Sequence, residues 1–244
     1  MEKENLMKAI EERCSRRKFQ GTLINEASIA KLKELITKYN EISDIRMELV
    51  VNNGKSFDGF TKSYGMFSGV NDYICLIANK NDLKSIEKLG YYGELIVLHA
   101  TQMGLGSCWV GGSRSDVPFT LSAEDSIICA IIIGHVEEDL SFKEKLIHGV
   151  THRKTKMVED MFTSTEVVPD WFMAGMKSVQ KAPSAMNKQP VKFIYQAGKV
   201  QASVKDITSP SIALDLGIAK LHFELGAGGG TWHWGNGAEF IFKS

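Results

Sequence analysis

The sequence predicts an α+β protein, and two observations carry the prediction. Apolar residues recur at helical spacing in several stretches, and short apolar runs of strand length lie between them. The chain has 244 residues, of which 43% are hydrophobic and 24% are charged. This composition is typical of globular proteins and supplies enough apolar material for a core. The length allows one large domain or two small ones.

The helices are predicted from the spacing of apolar residues. In the clearest case Ile29, Leu32 and Leu35 recur at helical spacing, and Asn25 stands where an N-cap is expected. Gly104 is suited to follow the end of a later helix, because glycine adopts left-handed backbone at little cost. Helices are predicted over residues 5–13, 26–38, 89–103, 171–179 and 212–225.

The strands are predicted from short apolar runs that end at turn-forming residues. Residues 127–134 are the most apolar run and are expected to form the central strand. Further strands are predicted over residues 47–51, 73–78, 191–196 and 239–242. Residues 56–71 are rich in glycine, serine and aromatic residues, which indicates a long irregular segment that could act as a lid. The charged residues 141–156 are expected to form a surface connection.

The two halves of the chain are weakly similar to each other. With a shift of 144 positions, the helix and strand of residues 29–51 overlay residues 173–195. With a shift of 124 positions, four glycines of the first half fall on four of the second: Gly93, Gly104, Gly106 and Gly111 on Gly217, Gly228, Gly230 and Gly235. We interpret this as an internal duplication with halves 1–150 and 151–244, although 22 glycines leave a chance alignment open.

The charge balance limits the partners of the protein. Basic and acidic residues both number 29, and a net charge of zero gives no bulk attraction to nucleic acid or to anionic membranes. The four cysteines form no CxxC pair, so a zinc site is not supported and no metal is expected. The N-terminus has no apolar leader segment, and residues 126–134 are too short to span a bilayer. We therefore expect a cytoplasmic protein with reduced thiols.

The basic residues at positions 13–19 form a candidate phosphate site. Forked guanidinium groups with a small hydroxyl beside them suit a phosphate. In an extended segment Arg13, Ser15 and Arg17 share one side, while Arg16 faces the other way. From the pattern alone, a solvated basic turn is the commoner outcome.

Residues 181–190, Lys-Ala-Pro-Ser-Ala-Met-Asn-Lys-Gln-Pro, form a second candidate site. Two prolines bracket Ser184, Asn187 and Gln189 and stiffen the backbone between them. The amides offer donors and acceptors at fixed places, which suits the polar edge of a flavin ring. From the residues alone, a connecting loop whose polar side chains cap its ends is slightly favoured.

Two further segments are weaker candidates. The glycines of residues 104–112 could bring the backbone close to a flat ligand, but the segment lacks the spacing of a dinucleotide fingerprint and the lysine of a P-loop. Arg153, within the basic residues 152–156, could provide a second contact to a phosphate, although a surface connection is the commoner role.

Three motifs together resemble the FMN-dependent nitroreductase family from about Ile10 onwards: the Arg-x-Ser-x-Arg-x-Phe arm, the Ala-Pro-Ser-x-x-Asn-x-Gln-Pro loop and the Gly-Leu-Gly-Ser-Cys-Trp-x-Gly-Gly turn. The resemblance implies a central mixed, mainly antiparallel sheet flanked by helices. It also implies that FMN binds through its phosphate and ribityl end to Arg13, Ser15 and Arg17, with Arg153 as a further contact. The implied contacts to the flavin ring are Trp109, Gly111, Gly112, Pro183, Ser184, Ala185, Asn187 and Gln189.

The order of the motifs resembles the branch of this family in which two subunits are fused, the TM nitroreductase type. In ordinary members the loop follows the arm within one subunit, and the FMN lies between two subunits. Here the loop lies in the second half, residues 39–44 stand in its place in the first half, and the second half has no arm. The resemblance therefore implies an intramolecular pseudo-dimer with one FMN per chain.

The resemblance further implies an oxidoreductase that uses NAD(P)H and a small-molecule electron acceptor, such as a nitroaromatic or a quinone, in a ping-pong cycle. No side chain is assigned as a catalytic acid or base. Tyr64, Met66 and Phe67 could shape the acceptor pocket, and packing of the lid onto the core is an equal alternative. A monomer or a weak homodimer is expected, because the fusion removes the usual reason to dimerise.

Other functions stay open at this point. A flavin-binding storage or sensing protein without turnover would need the same residues. A phosphate-ligand binding protein without a redox role would bind no flavin and would be colourless. Nucleic-acid binding through residues 13–18 is disfavoured by the net charge of zero.

Overall fold

The computed structural model describes residues 2–57, 67–111, 117–141, 144–145 and 155–243. Within these ranges the chain forms five α-helices and nine strands. The helices are α1 (Glu2–Glu12), α2 (Glu26–Ser43), α3 (Leu83–Gln102), α4 (Asp170–Lys181) and α5 (Pro210–Ala227). The strands are β1 (Arg46–Val50), β2 (Asp72–Asn79), β3 (Gly106–Gly111), β4 (Asp125–Gly134), β5 (Phe162–Ser164), β6 (Lys192–Gln196), β7 (Lys199–Ser203), β8 (Gly230–Trp232) and β9 (Glu239–Phe242).

The chain divides into two compact units. We call the first the arm unit, because it carries residues 13–19; it consists of Glu12–Asp82 and Ile96–Val150. We call the second the loop unit, because it carries residues 181–190; it consists of Met1–Glu11, Leu83–Leu95 and Thr151–Ser244.

The arm unit contains a four-stranded antiparallel sheet in the order β1-β2-β4-β3. The two inner strands, β2 and β4, are buried along most of their length, which is why their sequences read as continuous apolar runs. Helix α2 contacts β1, and the side-chain amide of Asn40 exchanges two hydrogen bonds of 2.9 Å with the backbone of Met47. The predicted cap of α2 is confirmed, since Asn25 accepts a hydrogen bond of 2.8 Å from the backbone N–H of Ser28.

The loop unit contains a five-stranded sheet in the order β5-β6-β7-β9-β8, in which only the β5–β6 pair is parallel. Its core is aromatic and includes Phe172, Phe193, Phe223, Trp232 and Phe240. Helices α4 and α5 contact each other closely. This approach requires Gly175 in α4, because a Cβ atom there would lie 2.8 Å from the ring of Phe223.

The two halves of the chain have the same element order and the same strand order. The first half runs α2-β1-β2-α3-β3-β4, and its strands lie in the order β1-β2-β4-β3. The second half runs α4-β6-β7-α5-β8-β9, and the corresponding strands lie in the order β6-β7-β9-β8, with β5 added outside β6. The α+β fold with two similar halves is therefore confirmed, although the strands form two sheets where one central sheet was expected.

The compact units differ from the predicted halves 1–150 and 151–244 at two places. Helix α1 and the first part of α3, Leu83–Leu95, belong to the loop unit. The physical reason for α3 is a close approach of two helices. A Cβ atom at Gly217 of α5 would lie 1.8 Å from the carbonyl oxygen of Glu87, so only glycine allows the backbones to lie at this distance.

The five predicted helices and the five predicted strands are all present, with boundaries that differ by a few residues. The largest differences are that α2 continues to Ser43 and that α3 begins at Leu83. The lid expected over residues 56–71 stays a prediction, because residues 58–66, which include Tyr64 and Met66, lie outside the described residues. In the part of the chain that the structure describes, none of the helices combines the length and apolar character that crossing a membrane requires.

Candidate functional site

The basic arm is an extended segment that lies beside β3. Ser15 forms a parallel bridge with Ser107, and the backbone N–H of Arg16 donates a hydrogen bond of 2.8 Å to the carbonyl of Ser107. Further along, the backbone N–H of Phe19 donates to Ser68. The backbone of the arm is thus fixed at both ends, and successive side chains point to opposite sides.

Arg16 points into the protein, as the alternation predicts. The residue is only 7% exposed, and its Nε atom donates to the carboxylate of Glu144 at 3.2 Å. Its terminal nitrogens donate to the backbone carbonyls of Glu137 at 2.8 Å and Asp139 at 3.1 Å. Arg16 therefore anchors the arm and is not available to an external anion.

Glu144 fixes the arm by accepting hydrogen bonds from its backbone. In addition to Arg16, its carboxylate accepts the backbone N–H groups of Arg17 at 2.7 Å and Lys18 at 3.1 Å, and both the N–H and the hydroxyl of Ser141. Burial by itself would raise the pKa of Glu144, but these hydrogen bonds outweigh it and lower the pKa to about 2. The charged stretch from residue 141 was expected to be a surface connection, and for Glu144 this was wrong, since the residue is 1% exposed.

Three residues of the arm act on the thiol of Cys108 in β3. The hydroxyl of Ser15 hydrogen-bonds to the Cys108 thiol, and the charges of Arg17 and Arg13 both act on it. Burial nevertheless raises the pKa of Cys108, so the thiol stays protonated. All three residues of the predicted set, Arg13, Ser15 and Arg17, therefore influence one thiol of the arm unit.

One donor of this set has an open hydrogen-bonding position. The Nε atom of Arg17 is buried and makes no hydrogen bond with any described residue. A buried donor without a partner costs free energy, so such groups are rare unless a ligand satisfies them. An anion bound at the arm would supply the acceptor.

The glycine-rich turn after α3 leads into β3. Gly106 lies against the arm, since a Cβ atom there would lie 2.4 Å from Val136 and 3.1 Å from Arg16. Trp109 is half-buried, and Gly111 is exposed with open space where a Cβ atom would stand. Gly112 lies outside the described residues, and so does Arg153.

The proline-framed loop, residues 183–190, lies in the loop unit and has an unusual backbone. Met186, Asn187 and Gln189 have positive φ angles of 55°, 50° and 45°. Residues other than glycine rarely adopt this conformation, and clusters of them are typical of functional sites. Two internal hydrogen bonds stabilise this conformation. Ser184 Oγ accepts the backbone N–H of Gln189 at 2.9 Å, and the Ser184 carbonyl oxygen accepts the backbone N–H of Asn187 at 2.9 Å.

The side chain of Gln189 forms its hydrogen bonds within the loop unit. Its Oε1 atom accepts from the backbone N–H of Lys156 at 2.9 Å, and its Nε2 atom donates to the carbonyl of Gln180 at 3.0 Å. Lys156 in turn donates from Nζ to the carbonyl of Gln189 at 2.7 Å. These contacts tie the end of the loop to α4, whereas Pro183, Ser184, Ala185 and Asn187 are half-buried.

A carboxylate that was not predicted lies beneath the same loop. Both oxygens of Asp215 face the backbone N–H of Ala185, at 3.0 and 3.2 Å. Asp215 also lines a small cavity with Pro183, Ser184 and Gln189. Burial raises its pKa to about 7, although the hydrogen bond from Ala185 and the charge of Lys188 act in the other direction. An acid between two leucines in the apolar first half of α5 was the signal that could have identified it.

The predicted site residues thus form two groups, each assembled within its own unit. The arm unit holds Arg13, Ser15, Arg17, Trp109 and Gly111, and the loop unit holds Pro183, Ser184, Ala185, Asn187 and Gln189. That the two groups bind one and the same ligand stays a prediction.

The architecture is a nitroreductase-like α+β fold. A crystal structure from Thermotoga maritima MSB8, described as a "putative nitroreductase", matches with a TM-score of 0.64 and 24% identity over 97% of this chain and 92% of that chain. A "Putative NADH Oxidase" from Clostridium acetobutylicum matches with a TM-score of 0.43 and 20% identity over 54% of this chain and 89% of that chain. An "FMN-dependent Nitroreductase" from Clostridium difficile R20291 matches with a TM-score of 0.42 and 21% identity over 61% of this chain and 98% of that chain.

The family follows from the sequence. Residues 5–227 match the model of the family described as "Putative TM nitroreductase", and the chain belongs to this family. Among curated proteins no match is found.

Proposed function

We propose that the protein is an FMN-dependent NAD(P)H oxidoreductase with one FMN per chain, held by the arm and by the proline-framed loop. The observation that carries the proposal is the arm. The Ser15 hydroxyl hydrogen-bonds to Cys108, the charges of Arg13 and Arg17 act on the same thiol, and the buried Nε atom of Arg17 makes no hydrogen bond with a described residue. A phosphate fits this arrangement, because its oxygens accept from several guanidinium and hydroxyl donors at once.

The loop supports the ring half of the proposed site. Its left-handed residues and internal hydrogen bonds fix the positions of Ser184, Ala185 and Asn187, so that their polar groups need little reordering on binding. In this assignment Pro183 and Gln189 frame the loop, and Trp109, Gly111 and Gly112 lie against the opposite side of the ring. Arg153 is proposed as a second contact to the phosphate.

The flavin supplies the two-electron chemistry when it is bound. The residues of this chain bind and orient it and shape access to its ring, and no side chain is proposed as an acid or a base. NAD(P)H and a small acceptor, such as a nitroaromatic or a quinone, occupy the site one after the other, which predicts ping-pong kinetics. We also propose that the protein acts in the cytoplasm as a monomer or a weak homodimer.

The first test is the visible absorbance of the purified protein, with the flavin counted per chain. We expect oxidised flavin at one molecule per chain and steady NAD(P)H oxidation once a nitroaromatic or quinone is added. A protein that binds FMN without turnover would instead be a storage or sensing protein. A protein that does not bind added FMN at all would contradict the proposal.

The shared site is tested by two variants made separately, Arg17→Ala in the arm and Asn187→Ala in the loop. Each should raise the dissociation constant for FMN by at least about tenfold, because each removes one polar group that contacts the same ligand. Asp206→Asn, at an exposed acid of the loop unit, serves as the control and should keep the dissociation constant of the wild type. An unchanged dissociation constant in either site variant would show that the two groups do not share a ligand.

A further inference from the structure

Helix α5, which contacts the proline-framed loop through Asp215, contains this acid at a buried position. Asp215 is 5% exposed and lies in α5, where its neighbours Leu214, Leu216 and Gly217 are also buried. Among the described residues no Lys, Arg or His nitrogen lies within 4 Å of its carboxylate. The carboxylate is therefore desolvated without an ion-pair partner, and burial raises its pKa to about 7.

The contact that Asp215 makes is to the backbone of the loop. Its two oxygens lie 3.0 and 3.2 Å from the N–H of Ala185, between the proline-framed start of the loop and its left-handed residues Met186 and Asn187. Left-handed backbone at residues with a Cβ atom is retained only when the surrounding structure holds it. The hydrogen bond from Ala185 to the buried side chain of Asp215 is one such restraint.

The internal duplication provides an independent observation. With the shift of 124 positions that aligns the glycines of the two halves, Asp215 falls on Tyr91. With the shift of 144 positions, the loop residues 183–190 fall on residues 39–46, which contain no proline. The acid thus occurs in the half that has the proline-framed loop, and it is absent from the half in which that loop has been replaced.

From this geometry we infer that Asp215 is a positioning residue for the proline-framed loop, and that its carboxylate holds Ala185 so that the loop keeps its ligand-binding conformation. The identification of that ligand as the flavin ring rests on the proposed function. Asp215 does not touch the ligand in this role. It acts through Ala185 and the backbone that follows.

The test uses Asp215→Asn, which keeps the size of the side chain and removes its charge, and Asp215→Leu, which also removes the acceptor. Asp206→Asn is the matched control, since Asp206 is an exposed acid of the same unit. Two quantities are measured on the full-length protein after the flavin has been removed. One is the amide exchange of peptides covering residues 183–190, and the other is the dissociation constant for FMN and for riboflavin, which lacks the phosphate.

We expect Asp215→Asn to weaken the binding of FMN and riboflavin by the same factor, about tenfold, and Asp215→Leu to weaken both further. Arg17→Ala, in contrast, should weaken FMN much more than riboflavin. Amide exchange in the loop should accelerate in both Asp215 variants, while their resistance to urea stays the same or increases because a desolvated charge has been removed. A merely structural role would lower urea resistance and flavin affinity together, and that result would overturn the inference.

The remaining outcomes separate the inference from the proposed function. Unchanged loop exchange and unchanged affinity for both flavins in Asp215→Leu would overturn the role of Asp215 and leave the proposed function intact. A wild-type protein that binds neither flavin would overturn the proposed function. Amide exchange would then decide the inference alone, because acceleration in the Asp215 variants supports the positioning role and unchanged exchange contradicts it.

Discussion

Glu144 in the arm unit and Asp215 in the loop unit are both buried acids that accept backbone N–H groups, yet their pKa values move in opposite directions. Glu144 receives the N–H groups of Arg17, Lys18 and Ser141, the Ser141 hydroxyl and the Nε of Arg16. Asp215 receives the N–H of Ala185. The pKa is lowered to about 2 in the first case and raised to about 7 in the second.

The two acids differ in how strongly the carboxylate is desolvated and in how many donors replace water around it. Burial raises the pKa of both acids. At Glu144 five hydrogen-bond donors outweigh the effect of burial, whereas at Asp215 the single donor does not. The arm is therefore built on an acid that is ionised throughout the physiological pH range. The loop is built on an acid whose charge is only marginally stable at neutral pH, so the two halves of the proposed site should respond differently to mutation and to pH.

Replacing the acid of the arm should have the largest effect. Glu144→Ala leaves the buried guanidinium of Arg16 without its ion pair and removes the acceptor for two backbone N–H groups of the arm. Breaking a buried pair by removing one partner typically costs about 3–5 kcal/mol. We expect a loss of this size in the free energy of unfolding, measured with urea.

The control for Glu144→Ala is Glu34→Ala, which removes an exposed ion pair with Lys31 on α2. This change should cost no more than about 0.5 kcal/mol, because exposed pairs contribute little. If the two variants were equally stable, Glu144 would not be the anchor of the arm.

The second prediction concerns pH and Asp215. Its folded-state pKa of about 7 lies above its ordinary value of 3.8, so the folded chain retains a proton that the unfolded chain releases between these values. The free energy of unfolding contributed by this group is therefore complete below the ordinary pKa and is lost as the pH rises through about 7. The loss is on the order of a few kcal/mol and should be absent from Asp215→Asn.

Urea unfolding of the wild type and of Asp215→Asn from about pH 5 to about pH 8 measures this effect. The stability of the variant relative to the wild type should increase with pH and level off above neutrality. Glu144 does not obscure the result, because its contribution is present above its ordinary pKa of 4.5 and is lost only as the pH falls towards 2. A difference that does not change with pH would show that Asp215 does not titrate in this range.

Local patterns in the sequence predicted much of the fold. Helix spacing and the cap at Asn25 identified α2, and the apolar run of β4 identified an inner strand. The missed strands lack such patterns. Strands β5 and β8 have only three residues each, and β7 follows a tight turn formed by Ala197 and Gly198, both with positive φ. Alanine is unusual in such a turn, so the hairpin carried no Asn-Gly or Asp-Gly signal.

The candidate site was predictable only where chemistry and local spacing coincide. The alternation of residues 13–17 predicted that Arg16 would face away from Arg13, Ser15 and Arg17, because extended backbone alone fixes that geometry. Its partner Glu144 is 128 positions away, and no local pattern can reveal such a pairing. The same holds for Gln189, whose side chain binds the backbone of Lys156 and Gln180, and for Asp215 beneath Ala185.

The smallest effect should come from removing one of the five donors of Glu144. Ser141→Ala deletes the hydroxyl that donates to Oε2 at 2.7 Å and accepts the backbone N–H of Glu144 at 3.3 Å, but it keeps the backbone N–H that donates to Oε2 at 2.8 Å. One hydrogen bond to a charged group among several should cost about 1 kcal/mol at neutral pH, far less than Glu144→Ala.

Because the ionised form loses a donor, the pKa of Glu144 should rise in Ser141→Ala, and acid unfolding should begin at a higher pH. Ser122→Ala, which removes an exposed hydroxyl that accepts the backbone N–H of Asp125 in the same unit, should leave the acid midpoint unchanged. An acid midpoint of Ser141→Ala equal to that of Ser122→Ala would mean that the hydroxyl does not contribute to the ionisation of Glu144, and that backbone donors and Arg16 alone maintain the charge beneath the arm.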